Sequence, residues 1–273
     1  MDLIVFDLDG TLLNKASQIS AYTEETLRLL QRRGIAYTVA TGRTRNGARD
    51  ILVGQGFDRP HIYKNGVVIW NPSAALYSHQ YLLSEAEINQ LLTAFTDRDV
   101  TPFVFTLESN QHHGVYHPPV IHEAERRLVK QMVEERGFSV QPITALPPGV
   151  GICNISALGD SEAIAAVVQS IEVDSQLVAY TGVAIEDQNL CWVDVHHSDG
   201  SKGDAVSLLK RELGASRVLC FGDGDNDMSM FRQADECYAP ENAKAAIKEQ
   251  ASAIIGHHDE DGVARFLRNR FDL

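Results

Sequence analysis

The chain has 273 residues, of which 44% are hydrophobic and 22% charged, and a formal net charge of −13. That is a globular composition with length for two domains or one large one, and its acidity argues against nucleic acid or an anionic membrane as partner. No apolar stretch approaches the ~18 residues of a membrane-spanning helix. The N-terminus enters a strand-like run at once with no signal peptide, and Cys153, Cys191, Cys220 and Cys237 form no C-x-x-C pair, so buried free thiols in a cytoplasmic protein are expected.

Residues 3–6 form a short apolar run that reads as a buried strand, followed by Asp7-Leu8-Asp9-Gly10-Thr11. A helix is expected over 21–33, stopped by Gly34, then a strand over 35–40 that leads into Thr41-Gly42-Arg43. A second helix is expected over 44–55. Strands at 61–64 and 67–70 flank Asn65-Gly66, a hairpin signal. Strands separated by helices imply right-handed crossovers and a parallel sheet. The pattern changes near residue 81. Ser84-Glu85-Ala86-Glu87 is a capping box for a helix to about 98, followed by strands at 101–107 and 113–117 and a helix over 120–136. Pro142, Pro147 and Pro148 mark a loop. A strand at 151–158, a helix capped by Asp160 and two or three short strands reach residue 195. This mixed segment, 81–191, reads as an α+β lid inserted between two α/β halves, 1–80 and 192–273. After Ser201 a helix begins with Lys202, and a strand at 217–221 runs into Gly222-Asp223-Gly224-Asp225-Asn226-Asp227.

Several of these segments end in chemistry. Asp7 and Asp9 leave a strand two residues apart and so share one side of the chain. Two carboxylates placed together repel unless a cation lies beside them, and oxygen-only ligands favour Mg²⁺. In an open parallel sheet, ligands bind beyond the carboxyl ends of the strands, where Asp7, Thr41 and Asp223 all fall. Lys202 opens a helix, where backbone N–H groups favour an anion and where a lysine opposes the helix dipole. Read alone, Thr41 is equally a helix N-cap, Arg43 a surface arginine and Asp225 a solvated acid.

Taken in order, the D-x-D-G-T stretch, Thr41-Gly42-Arg43, Lys202 and the 222–227 loop resemble the four motifs of the haloacid dehalogenase superfamily. The match is to its Cof-type, class IIB branch of sugar phosphatases. The resemblance implies a Rossmann-like α/β core with an inserted α+β cap of the C2B type. It further implies a Mg²⁺-dependent phosphatase acting on a small phosphorylated metabolite, a sugar phosphate, through an aspartyl-phosphate. Asp7 is then the nucleophile and Asp9 the general acid and base. Asp7, the backbone of Asp9, and Asp223 hold the metal, with Asp227 keeping that shell in place. Leu8, Thr41, Gly42, Arg43, Lys202 and Asn226 contact phosphate or substrate. A monomer or small homo-oligomer is expected.

Three rivals share parts of the pattern: a phosphotransferase or mutase using the same intermediate, a phosphorylated receiver domain, and a non-catalytic phosphosugar-binding regulator. The length, the insert and the D-x-D-G-T motif count against the receiver, and both intact carboxylates against the regulator. His112, His113, His117 and His122 cluster in the insert without the acidic or thiol partners of a metal site, so contact with substrate is the better reading. His196 and His197 end the strand returning from the insert, and His257 and His258 read as surface residues.

Overall fold

The structure, a computed structural model, describes residues 1–107, 114–134, 137–171, 176–184 and 187–273. His112 and His113 lie outside the described residues. The chain forms two compact units, one of residues 1–80 and 200–273 and one of residues 81–199.

In the first unit the chain runs β1 (Asp2–Phe6), α1 (Ala21–Arg32), β2 (Ala36–Val39), α2 (Arg45–Leu52), β3 (His61–Tyr63), β4 (Val68–Asn71) and β5 (Leu76–Gln80). In the second it continues α3 (Glu85–Thr96), β6 (Phe103–Leu107), β7 (Gly114–His117), α4 (Glu123–Glu134), β8 (Ser139–Pro142), β9 (Gly151–Gly159), α5 (Ser161–Ile171), β10 (Leu177–Val183) and β11 (Cys191–His197). It returns to the first through α6 (Lys202–Glu212), β12 (Arg217–Phe221), α7 (Met228–Gln233), β13 (Glu236–Pro240), α8 (Ala245–Gln250), β14 (Ala253–Ile255) and α9 (Gly262–Phe271).

The first unit is built on a parallel sheet of order β14-β13-β12-β1-β2, with β1 between β12 and β2. A small antiparallel sheet, β3-β4-β5, follows β2 in the chain. The residues of β1 from Leu3 to Phe6 are fully buried, as expected of a strand covered on both faces. Leu3 and Val5 join a core with Ala205, Val206 and Leu209 of α6. Phe6 belongs to the other face, where Phe221 packs on Phe266 of α9. Period-2 alternation then sends Asp7 to the side of Leu3 and Val5, the side covered by α6. Phe6 is level with Val39 and with Phe221, so Asp7, Ala40 and Gly222 leave the sheet at one edge.

The second unit has a six-stranded sheet of order β10-β11-β9-β6-β7-β8. One core sets Ile155, Val193 and Val195 against Leu91 and Phe95 of α3 and Ile164 and Val167 of α5. A second sets Phe103, Phe105 and Val115 against Leu128 and Met132 of α4. The expected boundary at 191/192 needs correction. β11 pairs antiparallel with both β9 and β10, so the residues up to 199 belong to this unit. The capping box at Ser84 and Glu87 is present, and Asp160 caps α5 as expected. All four cysteines are free thiols. Among the described residues no helix is long and apolar enough to cross a membrane.

The start of α6 fixes where Lys202 stands. Ser201 accepts from the Asp204 N–H at 3.1 Å, an N-cap one residue before Lys202. Ser201→Ala should therefore cost about 1 kcal/mol, seen as a lower urea midpoint at unchanged slope. A midpoint equal to that of the unaltered chain would show that the helix start is held by other contacts.

Candidate active site

Beyond the carboxyl end of β1, Lys202 is buried to zero exposure. Its Nζ donates to Asp7 Oδ1 and to Asp227 Oδ1, both at 2.6 Å. The other oxygen of Asp227 accepts from the Asp223 and Gly224 N–H groups, each at 2.9 Å. Both oxygens of Asp227 are thus engaged, and the 222–227 loop is tied to the lysine. Asp223 accepts from the Thr11 hydroxyl at 3.2 Å through Oδ1. Asp7, Asp223 and Asp227 each offer a carboxylate oxygen within 4.8 Å of the others.

The electrostatics follow from this crowding. Burial drives the Asp7 carboxyl well above its ordinary range; Lys202 opposes this, while Asp227 and Asp223 add to it. Burial and the Asp227 charge push Asp223 up to about 6, against the pull of Thr11, Lys202 and His258. Burial also works against the Lys202 ammonium, but Asp227 and Asp7 outweigh it and hold its pKa above the ordinary value. The cation is therefore secure at neutral pH. Three carboxylates against one ammonium leave two formal negative charges, which a divalent cation would balance. All-oxygen donors suit a hard cation. Cys220, in the adjacent strand, is no rival nucleophile, since burial pushes its thiol well up.

Asp9 stands apart from this cluster. Its side chain is 54% exposed and lies in the two-pronged fork of Arg43, with Nε 2.7 Å from Oδ2 and Nη2 2.5 Å from Oδ1. Arg43 thus gives the Asp9 carboxyl a cationic partner from this chain. Arg43 is correspondingly no free surface arginine; its Nη1 also donates to the Gly47 carbonyl. Thr41 is buried and accepts from the Arg43 N–H at 3.1 Å, leaving its own hydroxyl hydrogen for another acceptor. The N-cap of α2 is Thr44, not Thr41. Leu8 has its side chain wholly in the core, so any anion contact there falls to its backbone. Asn226 donates to Asn65 Oδ1 at 2.9 Å. Asp225 is exposed and ion-paired with Lys244, as its reading as a solvated acid requires.

Three residues near this edge carried no signal in the sequence. Asn65 read only as part of a hairpin turn. Asn242 donates to the Gly10 carbonyl at 2.7 Å and accepts from the His258 N–H at 3.2 Å. His258, expected at the surface, is part-buried with Nδ1 2.7 Å from the Leu13 carbonyl. Together Asn242 and His258 brace the loop that carries Asp9, Gly10 and Thr11. Of the expected histidine cluster, His117 has Nδ1 2.5 Å from the Pro118 carbonyl and packs on Phe103, while His122 is exposed.

The model of the haloacid dehalogenase-like hydrolases matches residues 4–267, and the chain belongs to that family. Phosphatase YwpJ of Bacillus subtilis is 29% identical over 98% of this chain and 99% of its own length. The 5-amino-6-(5-phospho-D-ribitylamino)uracil phosphatase YwtE of the same organism is 27% identical over 98% of this chain and 97% of its own length. The solved structure of the subclass IIB sugar phosphatase BT4131 superposes with a TM-score of 0.78 at 20% identity, covering all of both chains, and shows the same fold.

Two measurements probe the charge balance. Lys202→Met leaves buried carboxylates without their cation and should cost about 3–5 kcal/mol in metal-free buffer; a loss below 1 kcal/mol would contradict the burial described. The second is pH-dependent. A carboxyl raised in the folded state contributes stability that is fully present below its unfolded value and is lost as pH climbs to the raised value. For Asp223 the window runs from about 4 to about 6. Above it the charged cluster is costly without a cation, so Mg²⁺ should raise Tm over EDTA more at pH 7.5 than at pH 5. Equal shifts at both values would contradict this.

Proposed function

We propose that this hydrolase is a Mg²⁺-dependent phosphatase acting on a small phosphorylated metabolite, a sugar or polyol phosphate, through a phosphoaspartate at Asp7. The observation that carries the reading is the buried Lys202 ammonium shared by Asp7 and Asp227, with Asp223 beside them. Support for the substrate class comes from the family, from a relative named for a phosphorylated ribityl compound and from a sugar phosphatase of the same fold.

Asp7 keeps one oxygen on Lys202 and has the other, Oδ2, for attack on phosphorus. As that O–P bond forms, the ester O–P bond breaks and its electron pair leaves on the alcohol oxygen. Asp9 supplies the proton that the leaving oxygen needs. Water then attacks phosphorus, Asp9 takes its proton, and Asp7 departs as a carboxylate. Arg43 sets the orientation of Asp9 between these transfers; loading Asp9 with a proton loosens the fork and frees the carboxyl to reach the leaving group. Lys202 spends two of its three N–H bonds on carboxylates, and the third serves a phosphoryl oxygen with Thr41, the Gly42 N–H and Asn226. Asp7 and Asp223 have oxygens to offer Mg²⁺, and Asp227 holds Lys202 and the loop in register. Mg²⁺, when bound, offsets the negative charge of the nucleophile and of the phosphoryl group.

Phosphate release from a generic aryl phosphate should require Mg²⁺ and stop in EDTA. Asp7→Asn keeps the shape and removes the nucleophile, so kcat should fall at least ~10³-fold with the fold retained. A folded variant with more than a tenth of the activity would exclude Asp7 as nucleophile. On a panel of phosphorylated metabolites, sugar and polyol phosphates should be hydrolysed in preference to nucleotides. Transfer of the phosphoryl group to a second hydroxyl, with no phosphate released, would favour the phosphotransferase rival.

A further inference from the structure

The turn Lys64–Gly66 between β3 and β4 carries the Asn-Gly pair that makes hairpins common, but its backbone is unusual. Lys64, Asn65 and Gly66 have φ of 51°, 58° and 113° in succession. A left-handed conformation costs a residue other than glycine roughly 1–2 kcal/mol. Lys64 and Asn65 are both buried, so solvent does not relieve that cost. Strain of this kind persists where the surroundings over-determine it.

Here the surroundings are the segments of the proposed phosphate site. The Lys64 N–H donates to the Arg43 carbonyl, and the Asn65 N–H to the Thr41 carbonyl, each at 3.0 Å. The Asn65 side chain accepts from Asn226. Gly66 lies against the residue before Lys202, where a Cβ would stand 2.2 Å from the Ser201 carbonyl oxygen. One three-residue turn therefore touches the segments bearing Thr41 to Arg43, Lys202 and Asn226.

We infer that Asn65 is a positioning residue that aims two phosphate donors, the Gly42 N–H and the Asn226 amide; the inference rests on the phosphatase reading above. Two geometric facts support it. The peptide joining Thr41 to Gly42 is planar, so pinning its carbonyl with the Asn65 N–H also fixes the direction of its Gly42 N–H. Asn65 then packs against that glycine, where a Cβ would stand 3.1 Å from Asn65 Oδ1. The Asn226 amide is fixed in the same way. An amide can turn either its oxygen or its nitrogen toward a neighbour. Oδ1 of Asn65 takes one N–H of Asn226, which selects the orientation and leaves the second N–H for a phosphoryl oxygen. The opposite orientation would show a carbonyl oxygen to an anion.

Asn65→Gly is a clean test, since glycine takes the positive φ without strain and keeps the backbone N–H. The backbone hold on the Thr41–Gly42 peptide is kept, and only the side-chain role, the aiming of Asn226, is lost. Tm should stay level or rise, while kcat/KM for the aryl phosphate and affinity for vanadate both fall about 10- to 100-fold, the size of a hydrogen bond to a charged group. Asn226→Ala should show a similar loss. Adding Asn65→Gly to Asn226→Ala should then cost nothing more, because the first acts through the second. Full activity in Asn65→Gly beside a weakened Asn226→Ala would overturn the inference and leave the phosphatase reading intact. Losses that multiply in the double variant would also overturn it. Full activity in Asn226→Ala would remove Asn226 from the proposed site and the inference with it. Failure of the unaltered chain to release phosphate with Mg²⁺ would overturn the reading on which both rest.

Discussion

The structure of this edge of the sheet turns on one buried ammonium. Lys202 has no exposed surface and holds Asp7 and Asp227 at 2.6 Å each. A cation taken that far out of water is tolerable only with anionic partners, and those partners only with the cation. The bond to Asp7 ties the first strand to α6. The bond to Asp227, with its two backbone N–H groups, ties both to the loop after β12. Segments almost 200 residues apart in sequence are thus joined by one charge.

The same arrangement has a deficit built into it. With one ammonium for three carboxylates, burial raises Asp7 and Asp223 instead of lowering them. Asp7 and Asp223 would hold a divalent cation there, and its charge would offset that excess. The whole chain carries a formal charge of −13, which would repel a phosphate ester at long range. Local donors must outweigh that field at the site. In the proposed arrangement these are the spare N–H of Lys202, the Thr41 hydroxyl, the Gly42 N–H and Asn226. The Asp9 side chain is 54% exposed and paired with Arg43 instead of with the buried cluster.

Much of this was legible in the residues, and the exceptions share a cause. Short apolar runs ending in carboxylates marked β1 and β12, because a strand buried on both faces has little choice of composition. The Ser84-to-Glu87 capping box marked α3, because its signal is local. β5 and β8 were not legible: Leu76 to Gln80 is largely polar or exposed, and Ser139 to Pro142 is an exposed edge strand read as part of a proline loop. The strand ending at His196 and His197 was legible, but the boundary at 191/192 gave it to the wrong unit, because its pairing with β9 and β10 is not encoded locally. At the site, Asp7, Asp223, Asp227 and Lys202 come together as their motifs suggest, whereas the Arg43 fork on Asp9 does not follow from either residue alone. Asn242, His258 and Asn65 act on partners 232, 245 and 161 residues away, and no local pattern encodes such pairings.

In the proposed reaction Asp7, held by Lys202 in a pocket with excess negative charge, carries the phosphoryl group during turnover. That role is tested most directly by acid-quenching the enzyme during turnover of a phosphorus-labelled substrate with Mg²⁺, then mapping the label on peptides. Label should appear on the N-terminal peptide, at Asp7, with Mg²⁺ and be absent with EDTA. Label at another residue, or rapid turnover in which no labelled peptide forms under conditions that preserve acyl phosphates, would contradict it.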